Sequence, residues 1–285
     1  MAARVPSLVP GVFDGQVLRV LQPRWAKARG YLLLALAGCP SLIALSSALM
    51  VTMAGAHEFA WWLVLPLLGS ALPAVVLAVR LSALTREPHL WLKAAFLTMA
   101  CQQLLGGIPA VGMAVSAGSA GASTVATVAF LAQWGLLVLG CVFAYLASRA
   151  LLLPVCPELA ATPFTVAFRA RLPITGDGLL SGSARVVRDR VEWSTRRHRG
   201  RGGPTAAGQL TFDRIRAVRI AELPPATPRI PWLRLSDGST MYTSPGPAVI
   251  LATDLGEWMF PITDAGLFAD LLNRRIAAWR GGVGR

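Results

Sequence analysis

An apolar block between Tyr31 and Leu153 constrains this chain more than any other feature. It contains four hydrophobic runs separated by short polar interruptions, at residues 31–53, 59–79, 91–117 and 124–153. Crossing a hydrocarbon core of roughly 30 Å takes about 20 apolar residues in a helix, and each run reaches that length. Six charged residues lie in the block, all near predicted helix ends: Glu58, Arg80, Arg86, Glu87, Lys93 and Arg149. The sequence therefore predicts four transmembrane helices.

Composition supports a division into a membrane part and a soluble part. The chain is 54% hydrophobic and only 14% charged, whereas soluble domains are typically about 25% charged. Most charges outside the block follow Pro154, in a segment long enough for one independent core. We predict a cytoplasmic basic N-terminal arm (residues 1–30), a four-helix transmembrane domain (31–153), a proline-rich linker (154–163) and a cytoplasmic domain (164–285).

The N-terminal arm has two interpretations. Apolar residues between Val12 and Arg29 are interleaved with basic ones, a pattern typical of a short helix lying on a membrane surface. Pro23 favours the alternative of a disordered basic arm.

The placement of lysine and arginine predicts the orientation of the chain. The arm carries five cations, the loop between the second and third runs carries three, and Arg149 closes the fourth run. The two remaining loops, residues 54–58 and 118–123, carry none. We therefore expect a multi-pass protein of the plasma (inner) membrane with both termini in the cytoplasm. The net charge of +13 comes almost entirely from arginine. We attribute it to topology and to the codon bias of a high-GC genome, and expect no nucleic-acid partner.

Small residues repeat at helical spacing in the third and fourth runs. The positions are Gly106, Ala110, Ala114 and Gly118 in the third run, and Gly140, Ala144 and Ser148 in the fourth. Such stripes let helix backbones approach closely in lipid. They predict helix packing, and they offer a surface for homo-oligomer formation. The alternative is that an alanine-rich sequence produces this spacing by chance.

No ionisable residue lies in the middle of a predicted span. The most polar residues there are Gln102, Gln103 and Gln133. Hydrogen bonding between helices is the expected role of such amides, and a pore or substrate role is the less favoured interpretation.

After the linker, the hydrophobic period changes from helical to two. Phe164, Val166 and Phe168 alternate with polar residues, which indicates a half-buried strand. Further strands are predicted at residues 183–187, 190–195, 209–212, 215–221, 232–235, 239–243, 248–253 and 257–262. Turns are predicted at Asp237-Gly238 and at residues 254–256. A final amphipathic helix follows Thr263, a fitting N-cap, with Arg274, Arg275 and Arg280 placed at its end.

This arrangement of short antiparallel strands and a C-terminal helix resembles a pleckstrin-homology-like (PH-like) domain. The resemblance is carried by residues 182–193 (GSARVVRDRVEW), residues 248–258 (AVILATDLGEW) and the helix at 264–279. It implies about seven antiparallel strands capped by one helix. It also implies a bacterial protein, because bacterial versions are often fused to membrane helices, and the high-GC codon bias noted above favours an actinobacterial one. In this superfamily the fold is a scaffold that binds lipid headgroups, peptides or proteins, and the fold does not choose among them.

The densest charge in the chain lies at Arg196, Arg197, Arg199 and Arg201, in a predicted loop. A cationic loop held near a cytoplasmic leaflet attracts anionic headgroups, so anionic-lipid contact is one expectation. A loop that is only solvated is the other. Binding of RNA ranks below both, because the run is short and lacks interleaved aromatic residues.

Catalysis is not indicated. His57 beside Glu58, His89 and His198 have no partner at metal-ligand spacing, and no catalytic motif is present. Cys39, Cys101, Cys141 and Cys156 form no metal or disulfide pattern. We expect neither a cofactor nor a metal.

Three functions remain open on this sequence. The first is a non-enzymatic membrane protein whose cytoplasmic PH-like module recruits a protein partner or contacts anionic lipid. The second is a transporter or channel subunit with a regulatory cytoplasmic domain. The third is a membrane-embedded lipid-modifying enzyme with a site near His57, Glu58 or His89.

Overall fold

The computed structural model describes residues 5–55, 61–116, 120–172, 179–198, 203–225 and 229–283. The chain divides into two compact units. The first comprises Met1–Pro10 and Leu18–Leu153, and the second Gly11–Val17 and Pro154–Arg285. The first unit is helical, and the second consists mainly of antiparallel strands.

Four helices of the first unit are long and apolar enough to cross a bilayer, as the sequence predicts. They cover Gly15–Ala54, Trp61–Leu84, Pro88–Ser116 and Ser123–Leu152. The α-helices are α1 (Gly15–Leu33), α2 (Cys39–Gly55), α3 (Val64–Leu84), α4 (Trp91–Gln102), α5 (Ile108–Ser116) and α6 (Ala120–Leu152). Two π-helical segments, Leu34–Gly38 and Gln103–Gly107, connect α1 to α2 and α4 to α5.

The region predicted as an N-terminal arm is helical from Gly15, and it continues through the first π segment into α2. Helix α1 tolerates Pro23 and buries one face at Leu21, Trp25, Ala28 and Leu32, a helical spacing. Residues 5–10 turn back along this helix. The indole nitrogen of Trp25 donates to the Pro6 carbonyl at 3.0 Å, and Gln22 Nε2 donates to the Ser7 carbonyl at 2.8 Å. Residues 15–33 are therefore helical and continuous with the rest of the first candidate span, and not a disordered arm.

The outer surface of the helical unit is apolar. Leu45, Leu68, Val79 and Leu131 are each more than half exposed, and many other leucines and valines are exposed with them. Soluble monomers rarely expose so much contiguous apolar surface. Helices that face lipid present an apolar surface of this kind.

The second unit contains nine strands and a final helix. The strands are β1 (Val166–Arg169), β2 (Leu179–Val186), β3 (Arg190–His198), β4 (Thr205–Thr211), β5 (Ile215–Leu223), β6 (Ile230–Arg234), β7 (Thr240–Thr243), β8 (Gly246–Thr253) and β9 (Gly256–Phe260). Helix α7 follows at Ala265–Val283. The strands form antiparallel sheets in the orders β1-β2-β3-β4, β5-β8-β9 and β6-β7. Each of the nine strands overlaps one that the sequence predicts, and the total exceeds by two the number of about seven that the PH-like resemblance implies.

Aromatic side chains connect the two larger sheets to each other and to α7. Trp193 of β3 lies 5.0 Å from Trp258 and 5.3 Å from Phe260 of β9, measured between ring centroids. Phe268 of α7 lies 5.1 Å from Phe168 of β1. The inward residues of β1 and β3 are the ones that the period of two predicts.

Both predicted turns are present and use glycine for its positive φ. Gly238 joins β6 to β7 with φ 79°, and Gly256 begins β9 with φ 117°. Side chains with a Cβ rarely adopt this region, so each turn requires glycine at this position. The two turns also fix the register of the hairpins that they close, β6–β7 and β8–β9.

The segment predicted as a linker is folded into the second unit. Pro157–Ala161 forms a short 3₁₀ helix with Leu159 and Ala160 buried. Arg275, which we placed at the end of the last helix, lies about two turns before that end and is only 3% exposed. The five N–H groups of its guanidinium donate to six backbone carbonyls at 2.7–3.4 Å, with at least one N–H of Nη1 shared between two acceptors; the carbonyls belong to Leu159, Ala160, Thr162, Phe164, Val186 and Val187. One buried cation therefore joins α7 to the linker segment, to Phe164 just before β1 and to the end of β2.

Candidate functional site

The four clustered arginines of the sequence do not lie together in one loop. Strand β3 extends to His198, so Arg196 and Arg197 lie in a strand and not in a loop. Because successive strand residues point to opposite faces, these two side chains have different surroundings. Arg199 and Arg201 lie outside the described residues.

Arg197 is engaged with the β6–β7 hairpin. Its Nη1 donates to Ser239 Oγ at 3.4 Å, and its Nη2 donates to the Thr240 carbonyl at 3.3 Å. The side chain is half-buried. Its contacts are therefore those of a residue that supports the hairpin.

Arg196 lies on the opposite, outer face of the four-stranded sheet, and it is exposed. The register places Arg169 of β1 beside Ser183, Ser183 beside Ser194, and Ser194 beside Ala207. Arg196 is two residues beyond Ser194, and its neighbours are Ser181 and Thr205. Small and hydroxyl side chains thus form a floor between two arginines. We call this surface the basic face and define it by Arg169, Ser183, Ser194 and Arg196.

A shallow cavity of about 890 Å³ lies on the basic face. Arg169 and Arg196 are separated by two strand spacings across the sheet and by two residues along β3. Standard strand dimensions therefore place their Cα atoms about 12 Å apart. Arginine side chains extending from both ends can converge on one anion above the serine floor. Ser183 Oγ and Ser194 Oγ, 3.5 Å apart, add hydroxyl donors there.

The charge of the basic face is not neutralised within the described residues. The side chains of Arg169 and Arg196 make no ion pair or hydrogen bond with any described group. The nearest carboxylate of this sheet, Glu192, is bound by Arg190 Nε at 2.8 Å. That hydrogen bond is the main reason why the pKa of Arg190 is raised. His198 Nε2 lies 2.9 Å from Ser181 Oγ and lines the same cavity.

Sequence reasoning found Arg196 but missed Arg169. The alternation of β1 predicts that Arg169 points outward, yet only the register brings it opposite Ser183 and close to β3. A second, smaller cavity of about 370 Å³ lies further along the same sheet, next to Arg185, Glu192 and Gln209.

The small residues predicted to pack helices lie where spans approach each other closely. They join more spans than the predicted hairpin of the third and fourth spans would. Gly106 contacts Ser70 and Pro66 of the second span, and Gly140 contacts Met99 and Cys39. Ala110, Ala114 and Ala144 are fully buried, whereas Ser148 is half-buried and bonds within its own helix. Gly118 lies outside the described residues.

The three glutamines are buried inside the helical unit. Gln102 Nε2 donates to the Pro40 carbonyl at 3.1 Å and to the Ser70 carbonyl at 2.7 Å, which joins the third span to the first and second. Gln133 Nε2 reaches Ser46 Oγ at 3.1 Å and Ser47 Oγ at 3.3 Å, which joins the fourth span to the first. Interhelical hydrogen bonding, the expected role, is thus present for both residues.

The described residues hold no group of three metal-ligating side chains. His89 lies in a short 3₁₀ helix at Pro88–Leu90, whereas His57 and Glu58 lie outside the described part of the chain.

No family model matches the chain, and comparisons with curated proteins and with solved structures return no match. The function is therefore inferred from the chemistry of the residues themselves.

Proposed function

We propose that this chain is a non-enzymatic integral membrane protein whose four spans anchor a cytoplasmic PH-like module that contacts anionic lipid and recruits a protein partner. The observation that carries the proposal is the combination of four apolar helices with an unneutralised basic face on the other unit of the same chain. A membrane anchor keeps the module near the leaflet. There, each basic residue contributes about 1 kcal/mol of attraction to anionic lipid.

The arrangement of strands supports a PH-like module. Without the β6–β7 hairpin, the second unit has a sheet of four strands, a sheet of three strands and one C-terminal helix. This is the seven-strand, one-helix order that the resemblance implies. On this proposal the hairpin is an insertion between the first and second strands of the three-stranded sheet.

The orientation gives the first test. The positive-inside distribution predicts that the second unit lies in the cytoplasm. Protease added to intact cells should leave this unit intact, and protease added to permeabilised cells should remove it, as followed by an epitope at the C-terminus. Digestion in intact cells would contradict the orientation. Extraction of the chain from membranes by alkaline carbonate would contradict the membrane anchor.

Lipid contact is tested with the full-length protein in phosphatidylcholine nanodiscs, floated with added vesicles. Vesicles that contain phosphatidylglycerol should retain the nanodiscs, and vesicles of pure phosphatidylcholine should not. Replacing both Arg169 and Arg196 with glutamine should weaken retention about 30-fold, which corresponds to about 1 kcal/mol for each cation. High salt should weaken it as well, because it screens exposed charges.

The matched control replaces Arg216 and Arg219 with glutamine. This double variant changes the net charge equally, but the two side chains lie on β5 and are paired with Asp254 and Glu257. Its retention should resemble that of the unmodified protein. Equal loss in both double variants would show that only net charge matters and would contradict a site on the basic face. A separate variant of Arg199 and Arg201 measures what that segment adds.

A further inference from the structure

A cluster of buried polar side chains lies in the helical unit at the middle of the spans. Gln102, Gln103, Gln133 and Ser70 are at most 1% exposed. Five of their atoms have no hydrogen-bond partner among the described residues, namely the three Oε1 atoms, Gln103 Nε2 and Ser70 Oγ. We call these four residues the polar cluster.

The geometry at Gly107 shows that two of these oxygens face each other. A Cβ at Gly107 would lie 2.5 Å from Gln103 Oε1 and 2.5 Å from Gln133 Oε1, so these two oxygens are within about 5 Å of each other. Two carbonyl oxygens repel each other unless a hydrogen-bond donor or a cation lies between them. Gly107 ends the π segment Gln103–Gly107, and such segments occur frequently at functional sites.

The chemistry of the polar cluster decides what kind of ligand fits it. A buried polar atom without a partner is destabilising, and five such atoms lie here. A metal cation would have to lose its hydration, and the middle of the spans offers no carboxylate to compensate. Immobilising a water molecule costs far less than dehydrating an ion. Water also suits the mixture of groups, because it both donates and accepts.

We propose that the polar cluster is an internal water-binding site. A water molecule there donates to Gln103 Oε1 and Gln133 Oε1, and water accepts a hydrogen bond from Gln103 Nε2. The site connects the third and fourth spans at the level where Gln102 and Gln133 already bind the first and second. This inference rests on the membrane insertion proposed above.

The test is infrared spectroscopy on the full-length protein in liposomes, prepared in ordinary water and in water labelled with ¹⁸O. A bound water gives a narrow O–H stretching band that shifts with the isotope. The band should be present in the unmodified protein and in the Ser148→Ala control, which removes a hydroxyl that bonds only within its own helix. It should be lost in Gln133→Met, which keeps the shape and removes the amide.

Gly107→Ala provides a second variant for the same test. Its new methyl group would lie 2.5 Å from each amide oxygen and would compete with a water bound to both, while the oxygens lie at the ends of flexible side chains and can move aside. The variant should therefore fold and lose the band.

The opposite result is equally clear. If the Gln103 amide is rotated so that Nε2 donates directly to Gln133 Oε1, no band will depend on Gln133 or Gly107, and the proposal is wrong. Such a result leaves the membrane anchor untouched, because alkaline extraction tests that anchor separately.

Discussion

Replacing Arg275 with methionine is expected to destabilise the second unit by about 3–5 kcal/mol. The substitution removes a buried cation together with the hydrogen bonds that it donates to six backbone carbonyls. Hydrogen bonds to charged groups are each worth about 1.5–3 kcal/mol, and each buried acceptor left without a partner costs about 1–3 kcal/mol. Methionine fills much of the same volume, so the loss reports the hydrogen bonds more than the packing.

Hydrogen exchange in the full-length protein measures this effect. The slowest amides of β2 and β3 report the free energy of unfolding of the second unit. Arg274→Met is the matched control, because Arg274 is the adjacent residue, is exposed and is paired only with Asp270 at 3.0 Å. An exposed ion pair of this kind contributes about 0–1 kcal/mol. Similar exchange in both variants would contradict the assigned role of Arg275.

This contribution should not vary across neutral pH. Burial lowers the pKa of Arg275 to about 10, and the six carbonyl acceptors act in the opposite direction by stabilising the charged form. Because the folded pKa lies below the unfolded one, the unfolded chain binds the proton more tightly. The free energy of unfolding would therefore rise only above about pH 10, and it should be flat between pH 6 and 8 as far as this group is concerned.

Gly69→Ala is expected to destabilise the helical unit by about 3 kcal/mol. A Cβ at Gly69 would meet the carbonyl group of Leu105 and would lie 3.0 Å from the Gly106 nitrogen. These are backbone atoms, which cannot rotate away as a side chain can, so the second and third spans must separate. Overpacking of this kind costs about 1–3 kcal/mol, and more when the backbone resists.

Thermal unfolding in detergent, followed by the reaction of a fluorogenic maleimide with the buried Cys39 in a background where Cys101, Cys141 and Cys156 are replaced with serine, measures this loss. Gly135→Ala is the control, since a Cβ at that position meets nothing within 4 Å. Alanine has the higher helix propensity, by about 1 kcal/mol, so the control should be as stable as the unmodified protein or more so. An unchanged melting temperature in Gly69→Ala would show that these spans are not closely packed at this point.

Features encoded locally could be predicted from the sequence. The four apolar runs, the change of period after Pro163 and the two glycine turns at Gly238 and Gly256 each depend on residues close together in the chain. The mostly antiparallel second unit and its last helix follow from the same patterns. The specific PH-like assignment stays a prediction.

Features that depend on distant contacts could not be predicted. Arg275 has the sequence position of a helix-end arginine, and only the fold encloses it among carbonyls more than 80 residues away. Arg169 becomes part of the basic face only through the register of β1 on β2. Pro23 suggests an irregular arm, but the burial of Leu21 and Trp25 outweighs its local effect.

The outer edge of the three-stranded sheet has a consequence for how this protein meets others. Strand β5 carries a register irregularity between Ile215 and Ala217, and it presents Arg216 bound to Asp254 and Arg219 bound to Glu257, both at 2.7 Å. Bulges and charges at such borders prevent a foreign chain from extending the sheet. Neighbouring copies should therefore not pair strand to strand along β5, and a peptide that binds at this edge would have to dock as a helix or on side chains.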